Sequence, residues 1–247
     1  MIKVGIIGCG VIGGVMKDWI QSHNKDCILS ISDPAKNYND DLSSVDVAFV
    51  SIHIPTQEDG TQDLVVLKTI IKSLPNIPIF IRTTLLPGTC DFLSKKFGKE
   101  IYFMPEFLTE RTAYDDFCVQ PMIFTGHIEL LKSIFRNKTF IQMSNIEAEI
   151  TKYSHNVFGA VKVTYFNCIY ELSKKLGCDY EKIRNGILLS GYIGKTHTMV
   201  PGPDGLLGYG GKCFPKDISA FAEFNSNSDL GKLLRLVIDI NNSIRNL

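Results

Sequence analysis

A cysteine inside a glycine-rich stretch is the residue of this chain whose surroundings most suggest chemistry. The stretch GYGGKCFPKD, residues 208–217, places Cys213 after three glycines and two residues before Pro215. Glycine allows backbone to approach a ligand closely, and Pro215 suits the first turn of the helix that PKDISAFAEF predicts. The helix dipole would favour the thiolate of Cys213, which is the nucleophilic form. The alternative is a buried structural cysteine, which is the commoner state of a lone cysteine.

A second group of residues has the spacing of a dinucleotide-binding turn. Gly8, Gly10 and Gly13 form G-x-G-x-x-G directly after the apolar run IKVGIIG and at the start of a predicted helix. These glycines permit a tight turn, approach of backbone to a pyrophosphate and close helix packing. Asp33 ends the second predicted strand, where a carboxylate accepts hydrogen bonds from ribose hydroxyls and repels a 2′-phosphate. NAD is therefore favoured over NADP, although Lys36 nearby leaves that choice open.

A third group lies on a long predicted helix. Lys152 and Asn156 are four residues apart, so they project from the same helix face. Such a lysine can stabilise an oxyanion, and such an asparagine can orient a hydroxyl. Taken alone, a solvated surface is the commoner setting for this pair. His155 between them is predicted to be only an exposed or capped residue.

The elements that must position these residues change in character at Asn145. Before it, short β-branched runs alternate with helical segments, which is typical of a parallel sheet with crossover helices. From Asn145 a proline-free helical pattern runs to Gly177, a good helix terminator, and further helices follow. We predict an α/β protein with a Rossmann-type doubly wound parallel sheet followed by a smaller all-helical domain. The predicted domains are 1–144, which binds NAD, and 145–247, which serves catalysis and dimerisation.

The predicted elements follow from these runs. The predicted strands are IKVGIIG, CILSISD, DVAFVSI, IPIFIRTT, IYFMPEF, PMIFTG and TFIQM. The predicted helices are residues 11–23, 63–74, 128–137, 145–177, 179–190, 215–224 and 229–247. Residues 198–213 are predicted to form a loop.

Composition narrows the class of protein. Lys and Arg together number 26, as do Asp and Glu, so no net charge attracts nucleic acid or an anionic membrane. No apolar run reaches the length of a membrane span, and the N-terminus lacks a signal-peptide pattern. The seven cysteines show no C-x-x-C or zinc-like spacing, which predicts free thiols, a reducing compartment and no metal site. We expect a soluble cytoplasmic protein that acts on a small molecule and binds neither nucleic acid nor membrane.

Six motifs in order carry a family resemblance. They are GCGVIG at 8–13, IPTQEDGTQDL at 54–64, RTTLLPGT at 82–89, MPEFLTERTAYDD at 104–116, TKYSHNVFGAVKVTYFN at 151–167 and GYGGKCFPKD at 208–217. On these residues the chain resembles the UDP-glucose and GDP-mannose dehydrogenases along nearly its whole length. The resemblance implies oxidation of a sugar primary alcohol, in particular that of a UDP-sugar such as UDP-glucose, to a carboxylate with two NAD in sequence. It also implies that Cys213 attacks the intermediate aldehyde, and that the thiohemiacetal becomes a thioester that water releases.

The same resemblance assigns roles residue by residue. Lys152 stabilises the alkoxide or tetrahedral oxyanion, Asn156 is its hydrogen-bonding partner, and Asp217 handles water and the lysine. Glu110 takes part in proton transfer and thioester hydrolysis, and Thr84 helps to hold the water.

Glu106 matches the other acid of the PEFLTE loop, and we expect it to position rather than to catalyse. The alternative for Glu106 and Glu110 is a solvated acidic loop. The predicted catalytic residues are Cys213, Lys152, Asn156, Asp217, Glu110 and Thr84. The predicted cofactor contacts are Gly8, Gly10, Val11, Ile12, Gly13, Asp33, Lys36, Pro55, Thr56, Thr84 and Lys216. The predicted substrate contacts are Glu106, Phe107, Leu108, Lys152, Asn156, Tyr209, Gly210 and Gly211.

The chain departs from the family at its C-terminal end. The sequence stops at Leu247, where the relatives continue through a dimerising helix into a further α/β domain that grips UDP. We therefore expect the nucleotide-sugar anchor to be largely absent. The last predicted helix carries an apolar face, which predicts a homodimer through that helix. That face comprises Leu233, Leu234, Leu236, Val237 and Ile240.

Two other functions stay open. One is a two-electron dehydrogenase resembling the β-hydroxyacid group, which shares the two domains and the K-x-x-x-N helix but needs no cysteine. The other is a non-catalytic remnant that binds cofactor or a partner. Counting the NADH formed per substrate separates the two enzymes, and calorimetric titration with ligands tests the third function.

Overall fold

The computed structural model describes residues 1–57 and 60–245. It contains two compact units, one of Met1–Pro55 and Gln62–Lys152, the other of Thr56–Thr61 and Tyr153–Leu247. The units divide between Lys152 and Tyr153, whereas the predicted domain boundary lies before Asn145 and stays a prediction. The predicted final helix extends into residues 246–247, which lie outside the described residues.

The first unit is built on a six-stranded sheet. Its strands are β1 (Ile2–Ile7), β2 (Cys27–Asp33), β3 (Tyr38–Asn39), β4 (Val47–Val50), β5 (Ile79–Ile81) and β6 (Ile101–Phe103). Their order is β3-β2-β1-β4-β5-β6, and all neighbours are parallel except β2 and β3. The chain crosses from β1 to β2 in one direction and to β4 in the other. Such a reversal opens a crevice at the carboxyl ends of the strands, which is the usual place for a ligand.

Helices cover both faces of this sheet because its strands are apolar on both sides. In β4, Val47 and Phe49 pack with Trp19 of α1 (Val11–His23), while Ala48 and Val50 pack with helix α2 (Val65–Ser73). The other helices of the unit are α3 (Thr89–Phe97), α4 (Ala113–Val119) and α5 (Ile128–Ile134). This two-sided packing confirms the predicted doubly wound α/β fold. Strands β7 (Met122–Phe124) and β8 (Phe140–Gln142) pair in parallel as a separate small sheet.

The described part of the second unit consists of helices and loops. The long helix α6 (Asn145–Lys175) belongs to this unit from Tyr153 onward. It is followed by α7 (Tyr180–Leu188), α8 (Phe214–Phe224) and α9 (Asp229–Arg245). Gly177 has a φ of 67°, which confirms it as the residue that follows the helix end. Asp179 caps α7 by accepting hydrogen bonds from the N–H groups of Glu181 and Lys182. Among the described helices, none is both long and apolar enough to cross a membrane.

The predicted apolar face of α9 is partly covered within the second unit. Leu234 and Val237 are buried, whereas Leu233 is 49% and Leu236 57% exposed. At 3.6 residues per turn these residues lie on one side of the helix, with Leu234 and Val237 toward one edge and Leu236 toward the other. The first edge packs inside the unit, so the exposed leucines form a narrower strip than the sequence suggested.

Candidate functional site

The glycine turn after β1 has the geometry that its sequence predicts. Gly8 has a φ of 84°, a conformation that disfavours any side chain. A Cβ on Gly13 would lie 1.9 Å from the carbonyl oxygen of Gly8, so α1 packs directly on the turn. A Cβ on Gly10 would meet nothing within 4 Å, which leaves that backbone open to a ligand. Gly8 and Gly13 therefore serve the turn and the packing as expected, and the approach of a ligand to Gly10 stays a prediction.

Asp33 and Lys36 both hold the backbone of this turn at Cys9. The Asp33 carboxylate accepts a hydrogen bond from the Cys9 N–H at 2.7 Å, and the Lys36 Nζ donates to the Cys9 carbonyl at 2.7 Å. Lys36 belongs to a 3₁₀ turn that follows β2. Both residues thus bind the turn itself, in addition to any contact with a cofactor.

A cleft of about 510 Å³ opens beside the turn in the first unit. Of the residues predicted to bind or to catalyse, Gly10, Val11, Lys36 and Glu110 line it. Its other polar lining includes Lys17, Asp18, Tyr38, Arg111, Tyr114 and Asp115. The lining has three basic and three acidic side chains, and the basic ones together with the exposed glycine backbone suit the pyrophosphate of a dinucleotide. Arg111 and Tyr114 belong to the motif at 104–116, but neither was predicted to be a site residue.

Two buried hydroxyls, one in each unit, lack a hydrogen-bond partner among the described residues. Ser51 follows β4, and its Oγ is buried with no hydrogen-bond partner among the described residues. The Oγ1 of Thr56, in the second unit, is in the same state. Buried polar atoms are normally satisfied, so an unpaired hydroxyl is a place for a ligand or a water. Ile12 is half-buried in α1, and Pro55 is exposed.

Lys152 is buried and paired with Glu106. Its Nζ donates to the Glu106 carbonyl at 2.6 Å and lies 3.1 Å from Oε1 of the carboxylate. The other carboxylate oxygen accepts from the Leu108 N–H at 2.7 Å, and the Phe107 ring lies 5.4 Å from the ammonium. The solvated-surface alternative for Lys152 is therefore wrong. Glu106 meets the lysine, whereas Glu110 is exposed and lines the cleft by the glycine turn.

Thr84 lies in the loop between β5 and α3. Two side chains, one earlier and one later in the sequence, bind the backbone of this loop. Gln62 donates from Nε2 to the Thr84 carbonyl and accepts from the Leu86 N–H, both at 3.0 Å. Glu149, fully buried on α6, accepts from the N–H groups of Gly88 at 2.6 Å and Cys90 at 2.9 Å. These bonds place a carboxylate at the N-terminus of α3, where the helix dipole favours a negative charge. Burial nevertheless raises the pKa of Glu149 to about 7.

Cys213 lies in the second unit at the start of α8, as predicted. It is exposed and occupies the N-cap position, with Pro215 in the first turn. Asp217 on the next turn is 1% exposed, and its carboxylate accepts from Nδ2 of buried Asn156 at 2.6 Å and also from the Lys216 ammonium. His155 is exposed and in contact with the amide oxygen of Asn156. The second unit thus brings a thiol, a carboxylate, an amide and an ammonium group to one end of α8.

Close packing fixes the start of α8 against α6. A Cβ on Gly159 would lie 2.6 Å from the ring of Phe214, so a larger residue at position 159 would displace Phe214. The His197 ring meets the other side of Phe214 at 5.2 Å between ring centroids. Phe214 directly follows Cys213, and this packing therefore sets the position of the thiol.

The glycine-rich loop before Cys213 is held from α9. The Tyr209 N–H donates to Asn241 at 2.7 Å, and a Cβ on Gly210 would lie within 3.0 Å of the Arg245 guanidinium. Tyr209 is 4% exposed, and burial raises its pKa to about 12. Gly211 has a φ of 77° and open space around it. Tyr209 and Gly210 thus have a structural role in the loop, and their contact with a substrate stays a prediction.

Comparison with known proteins gives a consistent picture. Residues 146–243 match the model of the UDP-glucose/GDP-mannose dehydrogenase family, central domain. A UDP-glucose 6-dehydrogenase of Rickettsia felis is 31% identical over 225 residues, which is 83% of this chain and 49% of that protein. The chain spans about half the length of the curated relatives it matches.

Solved structures resemble the fold over nearly the whole chain. A UDP-glucose dehydrogenase from the hyperthermophilic archaeon Pyrobaculum islandicum superposes with a TM-score of 0.84 at 21% identity, over 98% of this chain and 68% of that one. A Mycobacterium tuberculosis 3-hydroxyisobutyrate dehydrogenase gives a TM-score of 0.71 at 16% identity, over 100% and 96% of the two chains. At these identities the likeness shows a Rossmann-type dehydrogenase fold.

Proposed function

We propose that this chain, which belongs to the UDP-glucose/GDP-mannose dehydrogenase family, oxidises the primary alcohol of a sugar nucleotide to a carboxylate with NAD. The substrate that the family favours is a UDP-sugar such as UDP-glucose. The observation that carries the proposal is the end of α8, where exposed Cys213 lies one helical turn before the buried Asn156–Asp217 pair. A structural cysteine would not need a buried carboxylate and amide beside it, whereas a nucleophile does.

The cofactor assigned to this reaction is NAD, which accepts a hydride at each of the two oxidation steps when it is bound. The residues that would hold it are those of the glycine turn, with Asp33 at the adenine ribose and the basic side chains of the cleft near the pyrophosphate. The open face of Gly10 and the cleft of about 510 Å³ support this assignment. Lys216 and Thr56, both in the second unit, are proposed as further contacts of the cofactor.

The chain's own groups divide the chemistry between them. The ammonium of Lys152 stabilises the alkoxide of the substrate and later the tetrahedral oxyanion. The thiolate of Cys213 bonds to the aldehyde carbon to give a thiohemiacetal, whose oxidation leaves a thioester. Asp217, held by Asn156, orients the water that releases the carboxylate and returns the thiol. Glu106 positions Lys152, while Glu110 and Thr84 are assigned to proton transfer and to the hydrolytic water.

The stoichiometry of the reaction tests this proposal. Purified chain, NAD and UDP-glucose are expected to give two NADH and one UDP-glucuronate for each sugar consumed. One NADH per substrate, with an aldehyde or ketone as product, would support the two-electron alternative instead. Calorimetry that detects no binding of NAD or of a panel of UDP- and GDP-sugars would support the non-catalytic alternative.

Asp33→Asn is expected to reduce the preference for NAD over NADP. Asparagine keeps an acceptor for the Cys9 N–H and removes the charge that repels a 2′-phosphate, so the ratio of the two dissociation constants should fall about tenfold. Calorimetric titration of both cofactors measures the ratio. Lys36→Met is the comparison variant, since it removes the other side-chain bond to Cys9 and keeps the Asp33 carboxylate. Equal losses for both cofactors in the Asp33 variant would contradict the role in selection.

We also propose a homodimer, with an interface wider than the C-terminal helix alone. Leu233 and Leu236 on α9 are exposed apolar residues. Helix α6 also has exposed apolar residues, at intervals of seven positions: Phe158, Tyr165 and Leu172. Leu233→Ser with Leu236→Ser is expected to shift the chain toward monomer at micromolar concentration in light scattering. A monodisperse wild-type monomer would remove this proposal. A cytoplasmic location, which rests on the cysteine pattern, likewise stays a proposal.

A further inference from the structure

Arg82 is a buried cation, and two of its guanidinium nitrogens have no hydrogen-bond partner in the described part of the chain. It follows β5, is 2% exposed, and its Nε and Nη1 atoms meet no acceptor among the described residues. Its guanidinium carbon lies 5.4 Å from the centroid of the Phe117 ring. Burial lowers the pKa of Arg82 to about 10, so the group is still charged near neutral pH. A buried charge without partners is costly, and it calls for an explanation.

A cavity of about 20 Å³ lies against this guanidinium. That volume has room for one water molecule. Glu106 is the one carboxylate among the described residues that line it; the other polar lining group is the amide of Gln120. Attraction to the Glu106 carboxylate opposes the lowering of the Arg82 pKa, so the two charged groups that line this cavity also interact electrostatically.

The oxygens of Glu106 already have partners on its other side. Oε1 pairs with the Lys152 ammonium and Oε2 accepts from the Leu108 N–H. Each oxygen still has lone-pair capacity for a second donor. A water molecule can accept a hydrogen bond from the guanidinium and donate one to this carboxylate, without displacing Lys152.

We propose that Arg82 is a positioning residue that, through one water molecule in this cavity, holds the Glu106 carboxylate toward Lys152. One carboxylate then pairs with two buried cations. Removing Arg82 would leave the Glu106 side chain free to turn from the lysine. The consequence for turnover rests on the role of Lys152 in the proposed function, but the contact among the three groups does not.

A double-mutant cycle on folding stability tests the contact without any substrate. Glu106→Gln leaves Arg82 and Lys152 buried without a counter-charge, so urea unfolding should show a large loss of stability. In the Arg82→Met background the same change should reduce the folding equilibrium constant at least about tenfold less, because one cation is gone. Lys138→Met is the matched control, because the Lys138 ammonium lies 4.8 Å from the same Phe117 ring but does not line the cavity.

The outcomes separate cleanly. Additive effects of Arg82→Met and Glu106→Gln, or equal compensation by Lys138→Met, would overturn the proposal. If Glu106→Gln alone does not fold, recovery of a folded protein by Arg82→Met and not by Lys138→Met supports it, and recovery by neither overturns it. A high-resolution crystal structure should show a water within hydrogen-bond distance of Arg82 and Glu106, and an empty cavity would refute the bridge. Inactivity of the chain on every sugar nucleotide would refute the proposed function. The double-mutant cycle would still test the contact, because it measures folding stability and not turnover.

Discussion

Replacing Cys213 with alanine is expected to lower the rate of carboxylate formation by about a thousandfold or more, since no other group can hold the aldehyde as an acyl intermediate. NAD affinity should change by less than about twofold, because the glycine turn that would bind the cofactor lies in the other unit. Release of NADH measures the rate, and calorimetry measures the affinity. Cys178→Ala is a control, since that thiol is also exposed.

Cys213→Ser gives an independent readout of the same chemistry. A serine alkoxide is a poorer leaving group than a thiolate, so an acyl ester should accumulate on the peptide that contains residue 213. Mass spectrometry after incubation with NAD and a UDP-sugar would detect the added sugar acid. A small alkylating reagent should also modify Cys213 before the other cysteines of the wild-type chain. An alanine variant that still forms two NADH at the wild-type rate would return Cys213 to a structural role.

The second large effect concerns the dependence of stability on pH. Burial raises the pKa of Glu149 to about 7, whereas the unfolded chain should release this proton near pH 4.5. Between those values the folded state retains a proton that the unfolded state has lost, so stability falls as pH rises through this window. The raised pKa corresponds to a loss of about 3 kcal/mol between pH 4.5 and 7.5. Part of the cost is offset by the bonds that Glu149 accepts from Gly88 and Cys90.

Glu149→Gln should remove this slope, because an amide does not titrate. At pH 5, where folded Glu149 keeps its proton, the variant should be less stable than wild type by about 1–3 kcal/mol, since its amide nitrogen would face one of the two backbone donors. Urea unfolding at pH 5, 6, 7 and 8 measures both effects. Glu147→Gln is the control on the same helix, because hydrogen bonds from Ser144 lower the pKa of Glu147 and remove it from this window. Parallel slopes for wild type and Glu149→Gln would show that other groups cause the pH dependence.

The sheet and the long helices could be predicted because their signals are local. The bounds of α1 (Val11–His23) and β2 (Cys27–Asp33) agree with the prediction, since the glycine turn and Asp33 delimit them. Strand IYFMPEF is shorter than predicted and ends at Phe103, two residues before Pro105. Helices α3 (Thr89–Phe97) and α4 (Ala113–Val119) were not predicted. Each is short, and α3 mixes polar residues into its apolar pattern, so packing decides more than periodicity does.

The candidate site was predictable in its members and less so in their pairing. Glu106 and Glu110 are four residues apart, but the backbone between them is a loop, so they lie in different surroundings. Only the fold shows that Lys152 meets Glu106 across 46 positions of sequence. Arg82 lies in the motif at 82–89 but was assigned no role, and Glu149 lies outside the motifs, because a charged residue in sequence predicts exposure and neither is exposed.

The segment Thr56–Thr61 gives the second unit a piece of chain that is made long before the rest. Gly60 is seated so closely on α8 that a Cβ there would lie 2.6 Å from the Cβ of Glu223. During synthesis this short segment leaves the ribosome about 160 residues before Glu223 does, and it must wait for its partner. A fragment cut at the start of α6 would carry the four long helices and yet lack this contact. Expression of the second unit by itself should therefore include residues Thr56–Thr61. A circularly permuted chain that joins this segment to the helices of the unit would provide them.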